Sequence, residues 1–292
     1  MIKISDNTFP CFFTLADRQA IKSQKQYLFV LKCSIWLIIG ASMLAYIRNF
    51  IGLEYVDWLI GVLLLINLLL NWWIQAEKMD NLWYDYRSIA ESIKTLTWKF
   101  MLKVAPFIGN ESNCTKEFRR RVTKILNSKM TLHKSHAISA NQQFITNDMR
   151  SIRQCDLQTR ALIYTQYRIQ DQADWYEKKS KYNKKMGTIF FICYMLFNFL
   201  LLIFIVISIW KSNGKELPLD LFMVLVTSIQ TWTQIKKYSD LANSYALTTQ
   251  EIALIKEEKP QFNTEQEFSR YVSDCENAFS REHTQWYARK QS

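Results

Sequence analysis

Four apolar runs, set apart by long polar stretches, organise the chain. The first, Leu28 to Ile47, reads LFVLKCSIWLIIGASMLAYI, and the second, Val56 to Ile74, reads VDWLIGVLLLINLLLNWWI. The third, Met186 to Trp210, reads MGTIFFICYMLFNFLLLIFIVISIW, and the fourth, Leu217 to Ile235, reads LPLDLFMVLVTSIQTWTQI. A helix needs about 20 mainly apolar residues to cross the hydrocarbon core of a bilayer. The first three runs are apolar all round, where a soluble helix keeps a polar face. All four are predicted to be transmembrane helices, the fourth meeting the criterion least well. Only Arg48 to Tyr55 separates the first pair and only KSNGKE the second, so each pair forms an antiparallel hairpin. Lys32, near the start of the first run, can extend its ammonium to the headgroups. Trp72 and Trp73 suit an interfacial aromatic belt.

The chain has only six glycines and four prolines, and no Asn-Gly or Asp-Gly hairpin signal. Long helices with short connections follow, and the predicted fold is an all-α integral membrane protein. The first apolar run is as long as a spanning helix and no small-residue cleavage site follows it, so a secretory signal is not expected.

The two hairpins read as copies. Each follows a polar helix, ADRQAIKSQKQY or RIQDQADWYEKKSKYNKK. Each precedes another, NLWYDYRSIAESIKTLTWKF or LANSYALTTQEIALIKEE. A shift of about 160 residues superposes them and pairs Asn67 with Thr227, Asn71 with Thr231 and Glu91 with Glu251. The expected organisation is a first repeat over 1–104, a basic connector over 105–160 and a second repeat over 161–292. No Pro or Gly interrupts Val62 to Val104 or Leu219 to Lys259. Each is therefore expected to be one helix of about 40 residues, reaching about 60 Å from the membrane into a cytoplasmic bundle.

Positive charge sets the expected orientation. The first hairpin loop holds Arg48 balanced by Glu54, and the second holds Lys211, Lys215 and Glu216. Lys178, Lys179, Lys181, Lys184 and Lys185 abut the third run, and Lys236 and Lys237 the fourth. The positive-inside rule then places both termini and the middle segment in the cytoplasm.

Candidate functional residues are polar side chains at membrane depth. Asn67 and Asn71 share a face of the second run, and Thr227, Thr231 and Gln234 form a stripe on the fourth. Two readings stand: these faces line an aqueous path between subunits, or they hydrogen-bond neighbouring helices. Asn198, alone on the third run, reads as packing. Asp57 and Asp220, near the outer mouth, are candidates for acidic rings that favour cations or for helix N-terminal acids. Arg119, Arg120, Arg121 and Lys124, with Arg150, Arg153 and Arg160 beyond them, are candidate contacts for a phosphorylated ligand, for anionic lipid or for solvent. No P-loop, GxGxxG, HExxH or nucleophile elbow is present. The six cysteines have no zinc-type spacing, His133 and His136 lack a nearby partner, and His283 reads as a packing residue. No enzyme, cofactor or metal is expected.

Three stretches carry a family resemblance: RSIAESIKTLTWKFMLKVAPF (Arg87 to Phe107), YRIQDQADWYEKKSKYNKK before the third run, and the ending YVSDCENAFSREHTQWYARK with its Glu282, His283 and Trp286. They resemble the SLATT family of bacterial membrane effectors, which have a two-helix membrane hairpin flanked by cytoplasmic helices. The resemblance covers nearly the whole chain as a fused pair of units and is weakest around Arg119 to Asn147. It implies a role in antiphage defence at the bacterial inner membrane, beside a partner nucleotidyltransferase or its oligonucleotide product. It implies a homo-oligomeric pore, a tetramer being the expected size, that depolarises the membrane. In one related arrangement a short DNA oligomer holds such a channel closed. A non-conducting scaffold that docks a soluble partner accounts for the charge and the long helices equally well.

Overall fold

The computed structural model describes residues 4–51, 55–128, 143–210, 217–257 and 262–291, without the side chains of Asp6 and residues 280–291. His133, His136, Glu54, Lys211, Lys215 and Glu216 lie outside the described residues, as do the side chains of Glu282, His283 and Trp286. Among the described residues there is no strand. The helices are α1 (Cys11–Ile51), α2 (Tyr55–Glu77), α3 (Met79–Met101), α4 (Glu111–Ser128), α5 (Asn147–Gln154), α6 (Leu157–Tyr164), α7 (Gln170–Trp210), α8 (Leu219–Lys236), α9 (Tyr238–Glu257) and α10 (Glu265–Gln291). A π-helical stretch, Thr165–Ile169, joins α6 to α7.

The duplication is visible in the elements. α1 and α7 are each 41 residues long, and their first residues, Cys11 and Gln170, stand 159 apart. The polar stretches expected as separate helices before each hairpin are thus the first halves of α1 and α7. The same offset relates α3 to α9 and Lys78 to Lys237.

Those two lysines correct the expectation of unbroken 40-residue helices. Both adopt the left-handed conformation, at φ 46°, which costs a residue with a Cβ about 1–2 kcal/mol. Each closes the preceding helix, Lys78 N–H donating to Gln75 O at 3.3 Å and Lys237 N–H to Thr233 O at 2.9 Å. A new helix starts at the next residue. Neither Gly nor Pro marks the break, so composition concealed it. The offset also shifts the expected pairing by one residue: Asn67 and Asn71 match Val226 and Gln230 rather than Thr227 and Thr231.

The chain divides into two compact units. Unit 1 comprises Met1–Gln24, Asp80–Lys178 and Ser244–Ser292, and has the interior of a protein in water. Its core gathers Phe9, Phe13, Trp98, Phe100, Phe107, Phe118, Tyr164, Phe268 and Phe279. Phe100, Phe107 and Phe118 meet pairwise at 5.1–5.8 Å, the separation at which tilted rings attract. The short helices α5 and α6 are held by their caps: Thr146 Oγ1 accepts from Met149 N–H at 3.2 Å, and Asp156 Oδ1 from Thr159 N–H at 2.7 Å. Each such cap contributes about 1 kcal/mol.

Unit 2, Lys25–Met79 and Lys179–Asn243, is apolar on the outside. Trp36, Leu68 and Phe199 are 69 %, 65 % and 63 % exposed, as suits side chains solvated by lipid. Helices long and apolar enough to cross a membrane run through Cys11–Phe50, Tyr55–Met101 and Leu157–Trp210. α8, the fourth expected span, is 18 residues long and is not among them, because Thr227, Gln230, Thr231, Thr233 and Gln234 dilute its apolar half. The second hairpin is knit by Phe222 against Phe197 and Phe204, and by Tyr238 stacked on Phe190 at 5.5 Å. Gly187 lies beside that tyrosine, and a Cβ there would meet Tyr238 Cβ at 3.5 Å, an ordinary contact.

Candidate functional site

The polar residues of the two hairpins have different surroundings. In the first hairpin, Ser34 of α1 is buried and donates to Asn67 Oδ1 at 2.6 Å. Asn71 Nδ2 donates to Ser34 Oγ at 3.1 Å and to the Asn67 carbonyl at 2.8 Å. Asn67 and Asn71 thus clasp α2 to α1, the helix-bonding alternative of the two readings. Asn67→Leu is expected to weaken this hairpin by about 0.6 kcal/mol, with about 1.7 kcal/mol as the ceiling for such bonds in a bilayer. Detergent-induced unfolding of the reconstituted protein would measure it.

In the second hairpin the corresponding clasp is absent, because Cys193 and Val226 replace Ser34 and Asn67. The polarity of α8 lies elsewhere. Thr227, Gln230, Thr231 and Gln234 recur at three- and four-residue spacing and are all exposed. Thr227 Oγ1 returns its proton to Met223 O at 2.9 Å, the local solution open to a threonine in a helix. Gln230 joins Thr227, Thr231 and Gln234 on this exposed face. Asn198 Nδ2 likewise turns back to Tyr194 O at 2.7 Å.

Of the two acids, Asp57 forms an ion pair with Arg48 at 2.9 Å, so its charge is balanced across the hairpin. Asp220 lies exposed in the first turn of α8.

The basic residues separate into two groups. Arg119, Arg120 and Lys124 are exposed on α4, and Arg121 is half-buried. Glu117 accepts from Arg120 at 2.7 Å and from Arg121 at 2.6 Å, and these two guanidinium groups hold its carboxyl down at about 2. Arg119 lies over the Phe144 ring, and Arg150 is exposed, 3.9 Å from Glu111. Arg153 and Arg160 are buried. Arg153 donates to Phe100 O at 2.6 Å and Phe107 O at 2.8 Å, and Arg160 to Leu102 O and Glu265. They bond carbonyls at the end of α3 and in the segment that follows it, so Arg153, counted among the ligand candidates, has its donors occupied by the fold.

Sequence reading missed a buried charged centre in unit 1. Arg168, in the π-helical stretch, donates twice to Glu276 of α10 at 2.9 Å, with both side chains at most 2 % exposed. Glu276 also accepts from Tyr164 at 3.1 Å and from Thr95 of α3 at 2.7 Å. Burial, reinforced by Glu276, raises the Tyr164 hydroxyl well above its usual range. One signal was present: Glu276 falls on the apolar face of α10, among Phe268, Val272, Cys275 and Phe279, where an isolated charge would be costly.

Two family models match the chain. One, described as SMODS and SLOG-associating 2TM effector domain 3, covers residues 10–161. The other, SMODS and SLOG-associating 2TM effector domain 1, covers residues 164–286. No curated protein and no solved structure matches the chain.

Proposed function

The chain belongs to the SLATT family of SMODS- and SLOG-associating two-transmembrane effectors, and on that premise we propose that this membrane effector is a homo-oligomeric ion-conducting pore. The supporting observation is the exposed polar stripe of α8. Thr227, Gln230, Thr231 and Gln234 on one face are a poor match to lipid tails, whereas the apolar faces of α2 and α7 suit them. In an assembly of several chains, α8 crosses the bilayer as the fourth span and turns this stripe toward a shared aqueous path. Asn67 and Asn71 contribute by stiffening the first hairpin rather than by lining the path. Asp220, at the start of α8, supplies carboxylates at the outer mouth.

Gating is proposed to come through the exposed cations of α4. Arg119, Arg120 and Lys124 offer phosphate-binding charge to a nucleotide or oligonucleotide made by a partner nucleotidyltransferase. The termini and α4 lie in the cytoplasm of a bacterium, and opening depolarises the inner membrane during phage defence.

The test is planar-bilayer recording from the purified full chain, with and without short oligonucleotides on each face. Unitary currents that respond to the oligonucleotide are expected. Silence from protein shown to be inserted and oligomeric would favour the scaffold role instead.

A further inference from the structure

We propose that Lys32, Trp232 and Lys236, in unit 2, form a binding site for the phosphate of an anionic glycerophospholipid at the edge of the membrane. The inference goes beyond the pore reading and does not depend on whether the chain conducts.

The apolar run of α1 begins at Leu28 and that of α8 ends at Ile235, so Lys32 and Lys236 belong to the same boundary of the bilayer. One ring brings them together. Lys32 Nζ is 5.5 Å from the centre of the Trp232 ring, and Lys236 Nζ is 5.9 Å from it. Lys236 Nζ is also 5.9 Å from the centre of the Tyr238 ring. That tyrosine is buried and stacks on Phe190 of α7 at 5.5 Å. The ammonium of Lys236 is thus held by two rings, one of them anchored to a neighbouring helix. A lysine at the end of a span ordinarily ranges freely toward the headgroups, whereas this one is preorganised.

The rings leave the cations only partly satisfied. An ammonium has three N–H donors, and a ring face attracts its charge without matching them. Neither lysine has a carboxylate partner among the described residues. The charges that act on Lys236 are those of Lys32 and Lys179, both positive. An anion between Lys32 and Lys236 converts their repulsion into attraction. A phosphodiester suits the place, since its two unesterified oxygens accept from both ammonium groups. At this boundary the bilayer itself supplies one. A headgroup without a cation of its own, as in phosphatidylglycerol, leaves the full negative charge to the lysines.

The repeat separates this arrangement from the general liking of membrane proteins for interfacial indoles. At the offset that aligns α1 with α7, Trp232 matches Trp73, but Lys236 matches Glu77 and Lys32 matches Phe191. Both repeats keep the indole, and the positions that carry cations around Trp232 carry an acid and a phenylalanine around Trp73. One of the two cations comes from the first hairpin, so a phosphate held by both ties α1 to α8.

The test is native mass spectrometry of the full chain released from nanodiscs of phosphatidylcholine and phosphatidylglycerol in equal parts, with circular dichroism as the folding control. Wild type is expected to retain phosphatidylglycerol over phosphatidylcholine roughly tenfold. Lys32→Gln with Lys236→Gln is expected to remove the preference, and Lys32→Arg with Lys236→Arg to keep most of it. If the glutamine pair fails to accumulate, Lys236→Gln alone takes its place. Lys184→Gln with Lys185→Gln takes the same charge from exposed lysines of α7 at the same boundary, and is expected to change the preference less than about twofold. No preference in wild type overturns the inference. Equal loss in the two glutamine pairs overturns it as well, because diffuse attraction to the surface then suffices. Displacement of phosphatidylglycerol by inorganic phosphate overturns the lipid assignment in favour of a soluble ligand. The readout is bound lipid, so an absence of current in bilayer recordings overturns the pore reading and leaves this one standing.

Discussion

Glu276→Gln is expected to destabilise unit 1 by about 3–5 kcal/mol, the cost of removing one partner of a buried ion pair. The substitution conserves volume and leaves Arg168 charged, 2 % exposed and without a counter-ion. Its Nη1 already lacks a hydrogen-bond partner among the described residues, as does the nearby Trp98 Nε1. Lys94 adds to the strain: burial first, then the Arg168 charge, lowers its pKa. The amide oxygen can still accept a hydrogen bond, yet the NH2 would face donors from Arg168 or Thr95. Hydrogen exchange on the reconstituted protein would show the effect as faster exchange in α10 and the π-helical stretch. Arg168→Met combined with Glu276→Leu removes both charges and should recover most of the loss, since a buried pair is often replaceable by apolar residues. A loss below about 1 kcal/mol for Glu276→Gln, the level of an ordinary hydrogen bond, would mean that water reaches the pair.

Replacing Thr227, Thr231 and Gln234 together by Leu should reduce unitary conductance roughly tenfold or more, equivalent to raising the barrier to an ion by about 1.4 kcal/mol. An apolar stripe along an aqueous path dewets it, while Phe222, which packs on α7, and the buried Val226 lie on another side of the helix and are left alone. The alternative gives the opposite signature. If the stripe faces lipid, leucine improves the match, insertion becomes more favourable and currents do not change. Asn67→Leu is the internal comparison: it should alter hairpin stability and leave unitary conductance close to wild type.

The membrane hairpins were legible because lipid imposes a long apolar run, a one-dimensional signal that survives without tertiary information. The repeat was legible for the same reason, though only to within one residue. The side chains that fix its register, Lys78 and Lys237, adopt a conformation dictated by surrounding packing rather than by their own preference. The Ser34–Asn67–Asn71 clasp was half legible: spacing put the asparagines on one face, but nothing in α2 says which neighbour that face meets. Arg153 and Arg160 looked like part of an open basic surface because charge is visible in sequence and burial is not. Arg168 and Glu276 are joined across a long stretch of chain, and the π-helical stretch that aims the arginine leaves no local mark. The resemblance carried by the stretches around Arg87–Phe107 and before the third run was what reached the family.

The left-handed lysines also bear on mechanics. An uninterrupted helix resists bending and twisting because every deformation strains a ladder of hydrogen bonds. At Lys78 and Lys237 that ladder stops and restarts, so deformation there is borne largely by the dihedral angles of one residue. The chain therefore has two compliant points at matching places, one after each hairpin. The unbroken ladders are those of α1 and α7, so a torque is carried along these two helices rather than through the joints at Lys78 and Lys237.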